Sequence, residues 1–277
     1  MKKSILFIPI IAFFACEQGR NETPVTPKTV ATTPKDTTLV FSDEFDGNTL
    51  DASNWTFQTG QHGWGNNELQ NYTASGNVEV SNGTLKIIAK KTGTGQQAGD
   101  YSSARLNSVK SFKQGRMEVR AKLPPNNGNG LWPAIWMLGN DISTTNWPDC
   151  GEIDIMEYVS YEPHNVHCTL HSKANNWTNN NQLASGAIYL GTAESEFHKY
   201  GVLWTDNAVK FYIDTTSNVV YSVNKPAVPT SDNWPFNKPF FFLLNMAVGG
   251  NWGGLYGVND AVFPAKFEID YVRVYKR

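Results

Sequence analysis

The sequence predicts an all-β protein, an antiparallel β-sandwich of the jelly-roll kind. Short runs in which apolar and polar residues alternate recur along most of the chain, separated by turn signals. No regular strand–helix–strand alternation of the sort that builds parallel sheets interrupts them. Nine tryptophans, eleven tyrosines and 23 glycines suit a turn-rich sheet protein better than a helical one. A length of 277 residues is enough for one large β domain with a sizeable core.

In chain order, Lys2 and Lys3 give a basic start, and Ile5 to Phe14 form an apolar run too short to span a bilayer. Residues 1–16 therefore read as an export signal. The Ala15-Cys16 ending resembles a bacterial lipobox, with Phe13 where leucine is usual, so Cys16 is expected to carry a lipid that anchors the protein to a bacterial membrane or cell surface. An ordinary cleaved signal with an incidental cysteine is the alternative. Residues 17–38 hold Pro24, Pro27 and Pro34 among threonines, cannot bury a core and read as an extended tether. Residues 39–277 form the folded domain, with strands expected at 78–80, 85–89, 115–123, 202–204, 209–213 and 267–275. The Gly- and Asn-rich stretches at 126–130 and 175–181 mark surface loops. A hairpin of 151–158 with 166–173 sets position 150 opposite about position 175, beyond the ~7 Å Cα limit for a bridge to Cys168. Cys150 and Cys168 are expected to be free and buried.

The segment Glu152-Ile-Asp154-Ile-Met-Glu157 concentrates three carboxylates in a strand-like run. Period-two alternation puts Glu152 and Asp154 on one face and Ile153 and Ile155 on the other. Glu157 breaks the parity unless one residue near Met156 is extruded as a β-bulge. With the bulge, the two glutamates behave as if four strand positions apart, roughly 13 Å between Cα atoms. Side chains leaning together can close that to the ~5–5.5 Å at which two carboxyls act on one glycosidic bond with retention. A merely solvated strand face would carry basic residues among the acids, and none is interleaved.

Gly151 to Tyr158, the preceding Leu131-Trp132-Pro133-Ala134-Ile135-Trp136-Met137-Leu138, and the segments at 63–70, 245–252 and 270–275 together resemble glycoside hydrolase family sixteen in its laminarinase-like branch. The resemblance implies a concanavalin-like jelly roll whose concave sheet carries a substrate cleft. It also implies an endo-β-glucanase acting on β-1,3-containing glucans, laminarin or mixed-linkage β-1,3/1,4-glucan. Glu152 would be the nucleophile, Glu157 the acid/base and Asp154 a hydrogen-bond partner of the nucleophile, with no cofactor needed for catalysis. Agarases and carrageenases share the bulged motif, and a lectin-like glucan-binding module is the alternative outside the enzymes.

By the same resemblance, Arg105, Asn67 and Trp252 line the glycone side, and His171 lies near the acid/base carboxyl or makes a cross-strand contact. Trp132 and Trp136, four positions apart on one strand face, either stack on sugar rings or pack the core. Glu44, Gly83 and Asp270 match positions that hold a structural calcium ion on the convex face. His167 and His171 share a face about 13 Å apart, too far for one ion. A net charge of −2 gives no electrostatic footprint for nucleic acid, and the chain is expected to act as a monomer on its polysaccharide.

Overall fold

A computed structural model describes residues 38–276. The expected leader, Cys16 with its expected lipid, and all of the expected tether but its last residue lie outside the described residues. Two sheets stack face to face, antiparallel throughout except where Gln70–Tyr72 pairs in parallel with Tyr101–Ser103. The outer sheet runs in the order Val219–Asn224, Ala208–Ile213, His198–Trp204, Gly115–Lys122, Ala265–Lys276, Thr84–Lys91, Tyr101–Ser103, Gln70–Tyr72. The inner sheet, which carries the cleft, runs Leu183–Ala184, Asn165–His171, Glu152–Glu157, Leu131–Gly139, Phe240–Val248, Arg105–Phe112, Trp55–Phe57. All six expected strands form, and helix is confined to single turns among the described residues.

Alternation explains why these segments pair as they do. In Ala265–Lys276, Ala265, Phe267 and Ile269 point inward while Lys266 and Glu268 point out. The parity breaks at Asp270, and the register against Gly115–Lys122 shifts between Ile269 and Tyr271, so a bulge absorbs the extra residue. The inward faces of both sheets form one apolar cluster in which Ile87, Val119, Ile153, Met156, Phe242 and Val272 are fully buried. Burial of this kind contributes about 25 cal/mol per Å² of apolar surface and is the main force holding the sheets together.

The same parity governs the strand Glu152–Glu157. Against Leu131–Gly139, Asp154 faces Trp136 and Met156 faces Ile135, so Ile155 is the extra residue. Against Asn165–His171 the register shifts between Asp154 and Glu157. Ile155 and Met156 both turn into the core, which returns Glu157 to the face shared by Glu152 and Asp154. The bulge falls where parity demanded it. Gly151, at φ +77°, leads into this strand, and a Cβ there would come within 2.7 Å of the Pro235 ring. Cys150 and Cys168 are buried and free, as the hairpin register requires.

Candidate active site

The cleft sits over Glu152, Asp154 and Glu157 and is also lined by Glu68, Arg105, Trp132, Trp136, Trp147, Trp177 and Asn245, among others, around a volume of about 310 Å³. Glu152 and Glu157 reach it while Asp154 is buried between them. Their environments differ. Glu152 shares a hydrogen bond with Asp154, receives one from Trp147 and feels the charge of Arg105, all of which favour its ionised form, yet burial outweighs them and pushes it up to about 7. Glu157 has a single helping donor, the Trp132 indole Nε1 at 3.1 Å from Oε1. Burial, reinforced by the charge of Glu152, pushes Glu157 up to about 8.

Asp154 is held well above the usual carboxylate range by burial and by its two acidic neighbours, so it keeps its proton and donates it to Glu152. His171 lies across the strand pair from Glu152, with Nε2 3.4 Å from Asp154 Oδ2 and 3.8 Å from Glu152 Oε1. Burial pulls its pKa down to about 4, so it stays neutral. The Trp147 ring packs on His171 with centroids 5.9 Å apart.

Of the two tryptophans before the catalytic-looking strand, each is only half-buried and both line the cleft. Trp136 Nε1 donates to Asn245 Oδ1 at 2.6 Å, and Asn245 donates to the Tyr72 hydroxyl at 2.9 Å. Arg105 is buried, lies 4.6 Å from the Trp136 ring centre and 4.7 Å from that of Trp64, and donates through Nε to Gln58. Its guanidinium is thus aimed by stacking on both sides. Trp252 stands behind this wall, edge-on to Trp132 at 5.4 Å and to His167 at 5.0 Å. Asn67 is exposed, and it donates to Asn251 Oδ1 at 2.9 Å, whereas its neighbours Asn66 and Glu68 line the cleft. Gly249 and Gly250, at φ +69° and +79°, make the turn that brings this loop beside residues 66–69, and a Cβ on Gly249 would strike the Leu69 side chain at 2.7 Å.

Sequence reasoning overlooked Glu68, Trp147 and Asn245. Glu68 is buried, raised by desolvation, and receives hydrogen bonds from Asn66, Gln70 and Tyr72. Trp147 stands five residues before Glu152, and that proximity was the only available signal. The three residues expected to hold a cation meet on the other sheet. Thr38–Asp43 and Thr84–Lys91 share one edge of Ala265–Lys276, pairing Asp43 with Val272 and Leu85 with Ile269, so Glu44 and Gly83 both end beside Asp270 and Tyr271. Arg273 clamps the Glu44 carboxylate at 2.9 and 2.7 Å, and Arg120 pairs with Asp270. With both carboxylates engaged, main-chain carbonyls at the junction are the oxygen ligands left for a hard cation.

A concave sheet bearing two carboxyls of unequal environment beneath an aromatic wall defines a glycoside hydrolase. The chain belongs to glycosyl hydrolases family 16, whose pattern matches residues 65–273. It is 42% identical over 247 residues to the beta-glucanase of Rhodothermus marinus, covering 86% of this chain and 85% of that protein. The laminarinase of Flavobacterium sp. UMI-01 superposes with a TM-score of 0.77 at 44% identity, over 86% of this chain and all of the other. A non-specific endo-β-1,3(4)-glucanase superposes at 0.80 with 39% identity, over 88% and 93% of the two chains. Some relatives are longer: the chain spans 38% of glucan endo-1,3-beta-glucosidase A1 of Niallia circulans.

Proposed function

We propose that the protein is a retaining endo-β-glucanase that hydrolyses β-1,3-containing glucans by double displacement. The observation that carries the division of labour is the unequal support of the two glutamates. Glu152, backed by Arg105, Trp147 and the proton of Asp154, is the carboxyl more readily ionised and is the nucleophile. Glu157, lacking a nearby cation among its influences and facing the charge of Glu152, holds its proton and is the acid/base. Glu152 attacks the anomeric carbon while Glu157 protonates the departing oxygen. Glu157 then takes a proton from water, which displaces Glu152 and restores the original configuration. Asp154 stabilises the carboxylate form of Glu152 before attack and when it leaves.

The relatives named for β-1,3-glucan and mixed-linkage hydrolysis support this substrate class over agar, carrageenan or simple lectin-like binding. Binding alone needs no cluster of three acids around one cleft. The experiment is a timed digest of laminarin, cereal mixed-linkage glucan, cellulose and agarose with products identified by chromatography. Early products of intermediate length ending in a 3-substituted glucose are expected from the first two polymers. Cellulose or agarose cleaved at comparable rate would overturn the reading.

The remaining assignments extend the same picture. Trp132, Trp136 and Arg105 bind the sugars nearest the carboxyls, with Asn67 and Trp252 shaping the wall behind them, while His171, buried opposite Glu152 instead of near Glu157, makes the cross-strand contact that supports Glu152 and Asp154. The complete triad in one copy supports action as a monomer. A calcium ion at the junction of Glu44, Gly83 and Asp270 steadies the outer sheet. A lipid on Cys16 tethers the enzyme to the bacterial surface, a reading supported by the Ala15-Cys16 sequence. A Cys16→Ala variant is therefore expected in the soluble fraction of the cell envelope, and its retention with membranes at the wild-type level would remove the lipid from the account.

A further inference from the structure

We infer that Trp177 is a stacking platform for a glucosyl unit on the leaving-group side of the scissile bond, an inference that rests on the glucanase reading above. Trp55, Trp204 and Trp234 are buried, as tryptophans of a sandwich core are expected to be, whereas Trp177 is 42% exposed and lines the cleft. An exposed indole that continues the aromatic lining of a cleft, as Trp177 does beside Trp147, marks a ligand-binding groove.

The turn that presents it is held firmly. Asn176 is 1% exposed, donates through Nδ2 to the Ser172 and Lys173 carbonyls at 3.1 Å each, and accepts from the Thr178 amide at 3.1 Å. The Asn176 amide donates to Asn181 Oδ1 at 3.0 Å, and Asn181 Nδ2 donates to the Ala174 carbonyl at 2.9 Å. Such a turn fixes the ring before substrate arrives, which lowers the ordering cost of binding.

The ring is also continuous with the reacting centre. Trp177 and Trp147 lie 6.0 Å apart with 33° between their planes, and Trp147 donates to Glu152. Glu152 and Glu157 sit on one strand and must flank the bond between them, so the polymer crosses that strand instead of following it. Arg105 lies on one flank, three strands away, and the strand leading to Trp177 is the neighbour on the other. The Arg105 flank, with Glu68 and Asn245, offers hydrogen-bonding groups that can fix the sugar under attack. The Trp177 flank offers aromatic faces, which suit the apolar face of a departing sugar and let it slide away.

The test compares two substrates for the full chain and for Trp177→Ala. One is a linear β-1,3-glucan hexasaccharide, and the other is an aryl β-1,3-glucobioside whose leaving group is a phenol and carries no sugar. The platform predicts that the ratio of kcat/KM on the hexasaccharide to that on the aryl substrate falls about tenfold, the worth of one stacking contact. Trp177→Phe should recover most of the loss, and matching melting curves should exclude a folding defect. An unchanged ratio in an enzyme active on both substrates would overturn the platform alone. A wild type that cleaves neither substrate would overturn the glucanase reading, and the platform with it.

Discussion

At the scale of single residues, the account turns on which carboxyl holds a proton. Turnover needs Glu152 ionised and Glu157 protonated, with Glu152 pushed up to about 7 and Glu157 to about 8. The acid limb of the profile then belongs to Glu152 and the alkaline limb to Glu157. In Glu157→Gln, assayed on an aryl glycoside that needs no proton to leave, the alkaline limb should vanish while the acid limb stays. Persistence of the alkaline limb would take the acid/base role from Glu157. The same shift carries a stability consequence of definite sign. The folded chain keeps a proton on Glu157 that the unfolded chain loses near pH 4.5, so its contribution is fully present below that pH and is lost as pH rises through about 8. Glu157→Gln should therefore gain in melting temperature relative to wild type near pH 8, and lose that advantage below about pH 4.

Sequence alone made the three acids legible because they crowd into six positions and because parity is a hard constraint on a strand. Trp147 was harder to see, since the loop that brings it over His171 carries no periodic signal. Glu68 and Asn245 were hidden for another reason. They meet through Tyr72, a contact that depends on sheet order and on no local pattern.

At the scale of elements, two of the register shifts are places where alternation failed, one at Ile155 and Met156 and one at Asp270. The first was readable because acids on a core face are intolerable. The second was not, because an acid followed by Tyr271-Val272 reads equally well as an edge with two apolar faces. This second bulge lies where Thr38–Asp43 and Thr84–Lys91 meet the edge of Ala265–Lys276. The calcium ion proposed there would join three strands in the folded state alone and so would stabilise it by mass action. A chelator should lower the melting temperature by several degrees, and added calcium should restore it, while turnover well below the transition barely changes. Identical melting curves with and without chelator would remove the ion.

At the scale of the whole molecule, one apolar core between two sheets holds a face of carboxyls and indoles open to solvent. The division follows from strand parity: each inward Ile or Phe fixes a neighbouring residue on the cleft side, so the rigidity of the core becomes the precision of the site. The all-β sandwich was legible from alternation and turn signals, whereas the neighbours of each strand depended on long connections that periodicity does not encode. The central claim is that Glu152 forms the covalent intermediate. It is tested most directly by incubating the enzyme with an activated fluorosugar of the β-1,3-glucobiose series, which accumulates the glycosyl-enzyme, and mapping the label by peptide mass spectrometry. The account predicts one equivalent of label on Glu152, lost again when a β-glucan acceptor is added. Label on Glu157 or Asp154, or none at all on an enzyme that cleaves laminarin, would contradict it.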